Sequence, residues 1–135
     1  MIALDTSVLA RYYMQDDRRQ AKIATRIIAA EPALFVPMSV AVELYFVLRL
    51  GYRVPAEKAH AVLLHLSGLP NVTMDAYERI HGAIYMSRRA GIEFPDALHL
   101  AAAARCERFL TFDDRRFARR ARRWRLKPPV TVPAA

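Results

Sequence analysis

A chain of 135 residues has room for one domain that buries roughly two-thirds of its unfolded surface, and 54% hydrophobic with 25% charged residues excludes disorder. No stretch reaches the ~20 apolar residues that a membrane span needs, since the longest apolar run, Val40 to Leu50, is broken by Glu43 and Arg49. No secretory signal is expected from the N-terminus, and the single cysteine, Cys106, rules out an internal disulfide, fits a reducing cytoplasm and reads as core filler on a helix.

The chain opens on a short apolar strand, Ile2-Ala3-Leu4, that runs into Asp5. Thr6 or Ser7 then caps a helix with Val8, Leu9 and Tyr12 on one side. A second helix fits Asp16 to Ala30, with Ile23, Ile27 and Ala30 at helical spacing, and Pro32 closes it. Leu34-Phe35-Val36 reads as a buried strand ended by Pro37. Ser39 is an N-cap for a helix through Leu50, which Gly51 stops.

Pro55 belongs to the first turn of the next helix, which runs to about Leu66. Asn71 to Met74 is a weak strand, and Asp75 caps a helix that Gly91 ends. Pro95 and Asp96 open an alanine-rich helix to about Arg105; Phe109-Leu110-Thr111 is the next strand, and a basic helix follows. Val130-Thr131-Val132, between prolines, adds an edge strand. Short apolar strands alternating with helices predict a single α/β domain over residues 1–135, built on a parallel sheet covered on both faces.

The net charge of +8 sits in one place. Eight basic residues (Arg115, Arg116, Arg119, Arg120, Arg122, Arg123, Arg125 and Lys127) follow one another with no acid between them, while the other 13 basic residues balance 13 acids. That asymmetry points to a polyanionic partner, nucleic acid before membrane, or else to a solvated helix face. Phe117, Ala121 and Trp124 form one stripe that packs inward and leaves the arginines outside.

Placement of the acids carries more chemistry. Asp5 follows the first strand, and Asp113 and Asp114 follow the Phe109-Leu110-Thr111 strand. Ligands of parallel α/β sheets gather outside the carboxyl ends of the strands, so these acids are expected in one crevice. Asp96 opens its helix, and Glu43 lies among Ala41, Val42, Leu44, Tyr45 and Phe46, a setting that predicts a buried carboxylate with a raised pKa. Two carboxylates ~5 Å apart repel by about 3 kcal/mol at an effective dielectric of ~20, so a cluster of four calls for a cation. With one cysteine and no paired histidines at ligand spacing, an all-oxygen set suits Mg2+ or Mn2+.

At these residues the chain resembles the PIN-domain ribonucleases, and among them the VapC-type toxins of bacterial toxin–antitoxin pairs. The matching segments are Ile2 to Leu9, Ser39 to Leu44 around Glu43, Asp96 to Ala103, and Leu110-Thr111-Phe112-Asp113, in that order over nearly the whole chain. The resemblance implies a three-layer α/β/α sandwich with a short central parallel sheet. It also implies endonucleolytic RNA cleavage by a water activated on Mg2+ or Mn2+ held by Asp5, Glu43, Asp96 and Asp113. Asp114 competes with Asp113 for the fourth place: two residues separate Asp114 from Phe117, whereas Asp113 keeps the Thr-x-Asp spacing from the strand. Thr6, His99 and Thr111 are candidates for supporting contacts around the acids. Arg115, Arg116, Arg119, Arg120, Arg122 and Arg123 are candidates for holding RNA. The resemblance further implies a cytoplasmic homodimer neutralised by an antitoxin, with Tyr12, Tyr13, Tyr45 and Phe46 as a floor for the antitoxin's C-terminal segment.

Other readings fit less. A haloacid-dehalogenase phosphatase needs a second aspartate at the place of Ser7, and a receiver domain wants an early acidic pair and a late lysine. A non-catalytic nucleic-acid-binding module would account for the basic segment and leave Glu43 and Asp96 without a purpose.

Overall fold

The computed structural model describes residues 1–134, and the chain packs as two compact units, residues 1–77 and residues 78 onward. In the first unit, β1 (Ile2–Ala3), β2 (Leu34–Val36) and β3 (Val72–Met74) form a parallel sheet in the order β1-β2-β3. Ile2 pairs with Leu34, and Leu34 and Val36 pair with Val72 and Met74. Parallel pairing requires a crossover between strands. Here α1 (Thr6–Met14) and α2 (Arg18–Ala30) make the first, and α3 (Met38–Phe46) with α4 (Ala56–Gly68) makes the second.

Local chemistry sets the helix ends. Asp17 accepts the Gln20 N–H at 2.9 Å and starts α2, and Gln15 takes φ 56° to end α1. Small residues let α1 and α2 approach, with Leu9 and Ala10 facing inward from one and Ala21, Ala24 and Ile28 from the other. Asn71 donates to the carbonyls of Ile28 (2.9 Å) and Glu31 (2.8 Å), tying the end of α2 to the start of β3. Past α3 the helix widens over Val47–Gly51, where the Tyr52 N–H reaches back five residues to the Val47 carbonyl at 3.1 Å. Such wide turns are rare inside helices.

In the second unit, α5 (Tyr77–Ala90, its first residue lying in the first unit) stops at Gly91, whose φ of +73° suits glycine. α6 (Phe94–Ala102) opens with Pro95 in its first turn. β4 (Phe109–Leu110) pairs parallel to β5 (Val130–Thr131). A second wide turn, Asp114–Ala118, precedes α7 (Arg119–Arg123). Phe117 is buried edge-on against Phe109, 5.5 Å between ring centres, and Ala118, Ala121 and Val130 are buried as well.

Every strand pairing among the described residues is parallel, as expected. Several sequence expectations are corrected. Asp5, not Thr6 or Ser7, occupies the cap position of α1, and α3 starts at Met38 rather than after Ser39. Asp75, expected to cap the following helix, instead accepts the N–H of Met38 at 3.4 Å, because parallel β2 and β3 end side by side. The alanine-rich helix stops at Ala102, so Cys106 falls in the turn beyond it and is exposed rather than core. The basic helix is only five residues long. No helix among the described residues is long and apolar enough to cross a membrane.

One surface cluster braces the α1–α2 turn. Asp16 accepts from Arg11 at 2.7 Å and from the Tyr52 hydroxyl at 2.8 Å, and Arg11 also donates to Gln20 at 2.8 Å. The Arg11 bond first, and the Tyr52 bond second, hold the Asp16 carboxyl below its usual range. A lowered folded pKa gives stability that is full above the unfolded value, about 3.9, and is lost as pH falls through the folded one. Urea unfolding of wild type and Asp16→Ala is expected to separate the two proteins between pH 5 and 7. The separation should shrink below about pH 4; an equal gap at pH 2.5 would mean that the ionised carboxylate is not what braces the turn.

Candidate active site

Parallel strands send their carboxyl ends to one edge of the sheet, and the candidate acids follow those ends within each unit. In the first unit Asp5 stands two residues past β1, and Glu43 lies on α3, the helix that leaves the adjacent β2. Asp5 is exposed and accepts the Ser7 hydroxyl on Oδ2 at 3.1 Å. Thr6 beside it is buried, and its hydroxyl has no hydrogen-bond partner among the described residues. A buried hydroxyl without a partner is costly.

Glu43 is exposed, against the expectation of burial. The phase of α3 explains the difference. Ala41, Leu44, Tyr45 and Leu48 turn inward, and Glu43 shares the outward stripe with Ser39 and Phe46, its neighbours one turn away on either side. The apolar residues next to Glu43 in sequence are therefore on the other face. Tyr45 is buried as well, so it cannot be part of the expected surface floor with Tyr12, Tyr13 and Phe46; it stacks on His60 in the interior at 5.9 Å.

The second unit holds Asp96 and Asp113. Asp96 lies in the first turn of α6 and is half-buried. Burial raises its pKa, the charges of Asp113 and then Glu93 add to the rise, and His99 one turn on opposes it. Of the two adjacent aspartates after β4, Asp113 is thus the one whose charge reaches Asp96. It caps the wide turn by accepting the Arg116 N–H on Oδ1 at 3.0 Å, and its own N–H donates to Thr111 Oγ1 at 3.1 Å. Asp114 is engaged elsewhere, in an ion pair with Arg122 at 3.0 Å. His99 is exposed rather than packed in an alanine-lined interior.

Within neither unit, among the described residues, do three His, Cys, Asp or Glu side chains gather into a metal-holding group. The donor chemistry nevertheless fits a hard divalent ion. Asp96 and Asp113 are oxygen donors, the charge of Asp113 adds to the raised pKa of Asp96, and among the described residues neither forms an ion pair with a basic side chain.

Of the six arginines expected to meet RNA, all are exposed, but two are committed within the fold. Arg120 donates to the Gly91 carbonyl and Arg122 pairs with Asp114. Arg115, Arg116, Arg119 and Arg123 form no ion pair among the described residues. Trp124 is partly exposed, at 41%, under the guanidinium of Arg89 at 5.2 Å, instead of completing the buried stripe.

Parallel strands with aspartates at their carboxyl ends define an α/β protein of the kind that handles ligands at a sheet edge. The model of one such family, the PIN domain, matches residues 2–123. The chain belongs to the PIN domain family, whose members are generally nucleases, and with the family comes the three-layer α/β/α fold class expected from the sequence. No curated protein matches the chain. A solved structure described as a toxin–antitoxin complex from Klebsiella pneumoniae is similar over 99% of this chain and 98% of that one, at 16% identity and a TM-score of 0.37.

A raised carboxyl pKa is a stability penalty: it is full above the folded pKa and vanishes below the unfolded value near 3.9. Asp96→Asn should therefore melt higher than wild type at pH 7 in EDTA, and the two should converge near pH 3. A lower melting temperature for Asp96→Asn at pH 7 would mean that the carboxylate is held by favourable contacts instead.

Proposed function

We propose that the chain is a Mg2+- or Mn2+-dependent endoribonuclease with Asp5, Glu43, Asp96 and Asp113 as its acid set, and that it acts as the toxin of a toxin–antitoxin pair. The observation that supports the nuclease chemistry is the half-buried Asp96 in the first turn of α6, whose carboxyl is pushed up by burial and then by the charge of Asp113. An arrangement that destabilises the free protein has a purpose if a divalent ion is bound there. When bound, such an ion supplies a polarised water and a countercharge for the phosphate under attack. The chain's own part is positioning. Pro95 sets the start of α6 and so the place of Asp96, and the Arg116 N–H fixes Asp113 Oδ1 while leaving Oδ2 outside that bond. Asp5 keeps Oδ1 outside its bond with Ser7.

The basic segment supports RNA as the substrate, since exposed arginines next to the acids hold a phosphate backbone without reading bases. The toxin role, a cytoplasmic setting, a homodimer and an antitoxin partner rest on the likeness of the four acid-bearing segments to VapC-type toxins. Tyr12, Tyr13 and exposed Phe46 remain as apolar surface for such a partner.

Purified protein is expected to cut single-stranded RNA with Mg2+ or Mn2+ and to stop in EDTA, and Asp5→Asn and Asp96→Asn should each abolish cutting. Because protons compete with the metal for Asp96, whose pKa is raised, activity at limiting metal should fall as pH drops from 8 to 5. Wild-type cutting by Asp96→Asn would overturn the assignment. RNA binding that survives EDTA without any cleavage would favour a binding module instead.

The arginines give a separate expectation. Replacing Arg115, Arg116, Arg119 and Arg123 with alanine, while Arg120 and Arg122 keep their internal partners, should weaken binding to all RNAs about equally. The log–log salt dependence should flatten by up to ~0.7 for each phosphate that is no longer neutralised. Unchanged affinity and slope would make the segment a solvated helix face.

A further inference from the structure

Phe112 is 86% exposed, more than any other large apolar side chain among the described residues. A lone exposed apolar residue needs no explanation in general. Its position and its footing set this one apart. It lies between Thr111 and Asp113, two residues past β4, on the segment that presents Asp113.

The backbone of that segment is tied at four points. The Thr111 N–H donates to the Thr131 carbonyl at 3.0 Å, and the Asp113 N–H donates to Thr111 Oγ1 at 3.1 Å. The Asp114 N–H donates to the carbonyl of Phe112 itself at 3.0 Å, and the Arg116 N–H to Asp113 Oδ1 at 3.0 Å. The ring therefore stands on a braced backbone while meeting solvent, so little backbone freedom is left for a ligand to remove. Arg115, Arg116 and Arg119, exposed and without ion pairs among the described residues, follow within seven residues. An aromatic face with cations beside it matches a nucleotide, whose base offers a π-face and whose phosphates carry the charge.

We infer that Phe112 is the stacking platform for an unpaired base of the RNA strand, next to the phosphate that Asp96 and Asp113 address. This rests on the ribonuclease reading and adds a specificity-determining residue to it. A flat ring accepts any base by stacking and favours the larger purines. It also requires a base that is free of a duplex, so it selects loops and single strands.

The test uses Asp96→Asn as an uncleavable background in EDTA, with single-stranded oligoribonucleotides as the probe. Adding Phe112→Ala should weaken binding about five- to 150-fold, the range for removal of one base–aromatic stack. Phe112→Tyr should restore it. The salt slope should stay the same, because stacking releases no counterions, and an oligonucleotide abasic at the stacked position should bind both proteins equally. In the cleaving protein, Phe112→Ala should shift the preferred cleavage positions, which a purely structural role would not do.

Equal binding by Phe112→Ala and its parent, while wild type still binds and cuts RNA, overturns the Phe112 inference alone. A protein that neither binds nor cuts RNA overturns the ribonuclease reading and this inference together. If Phe112→Ala changes the sedimentation of the protein from dimer to monomer and leaves RNA affinity unchanged, the ring is covered by a second copy and the inference fails.

Discussion

A half-buried carboxyl at Asp96, opposed first by its burial and then by the charge of exposed Asp113, is the constraint on the acid corner of the second unit. Asp96 occupies a helix first turn, where the dipole favours a negative charge by ~0.3–1 kcal/mol, yet its pKa moves up. Burial is the main cause; the charge of Asp113 adds to it, and His99 opposes it. The surroundings hold the pair in place rather than relieving it. Pro95 fixes the entry to α6, Asp113 is held by its cap bond to the Arg116 N–H, and the nearby Arg122 is paired with Asp114. Arg120 is likewise turned away to the Gly91 carbonyl. In a segment so rich in arginine, Asp113 forms no ion pair among the described residues, and its charge stays available to a metal.

How much of this the sequence discloses depends on the range of the interaction involved. Strands and their parallel pairing are legible, because apolar segments alternate with helices and some helix ends carry local punctuation, such as Asp17 at the start of α2 and Gly91 at the end of α5. The acids are legible as residues that follow strands. Which acid neighbours which is not, since Asp113 and Asp114 are adjacent in sequence and only the turn geometry sends one toward Asp96 and the other to Arg122. Glu43 misleads for a related reason. Its apolar neighbours in sequence say little about burial, because a helix separates consecutive residues by ~100° and only the phase of α3 decides which stripe faces in. Asp75 looks like a local cap, whereas its partner Met38 is 37 residues away across the sheet.

The two wide turns lie beyond sequence reasoning altogether, since no residue preference marks an i to i+5 bond. Both have structural consequences. After α3, the wide turn of Val47–Gly51 delivers Tyr52 to Asp16, so the end of one helix braces the turn between two others. After β4, the turn from Asp114 to Ala118 closes on the Asp113 carbonyl, through the Ala118 N–H at 3.0 Å. One extra residue in that turn lets Asp113 stay exposed at the strand end while Phe117 and Ala118 face inward. Functional positions often coincide with such bulges, and here the bulge begins at a candidate metal-binding acid.

In the proposed ribonuclease, the charge map makes holding RNA and cutting it separable. Arg115, Arg116, Arg119 and Arg123 attract a phosphate backbone with or without a metal, through exposed charges that salt screens over about 8–10 Å. Asp96 and Asp113 repel the same backbone until a divalent ion reverses the local sign. Without metal, RNA can be drawn to the basic segment while its phosphates are kept from the acids. A divalent ion held by Asp96 and Asp113 would supply a positive charge there for the phosphate of a strand that the arginines hold. Since the arginines are exposed and Asp96 is half-buried, rising salt weakens capture more than it weakens the metal's hold on a phosphate once the strand is in place.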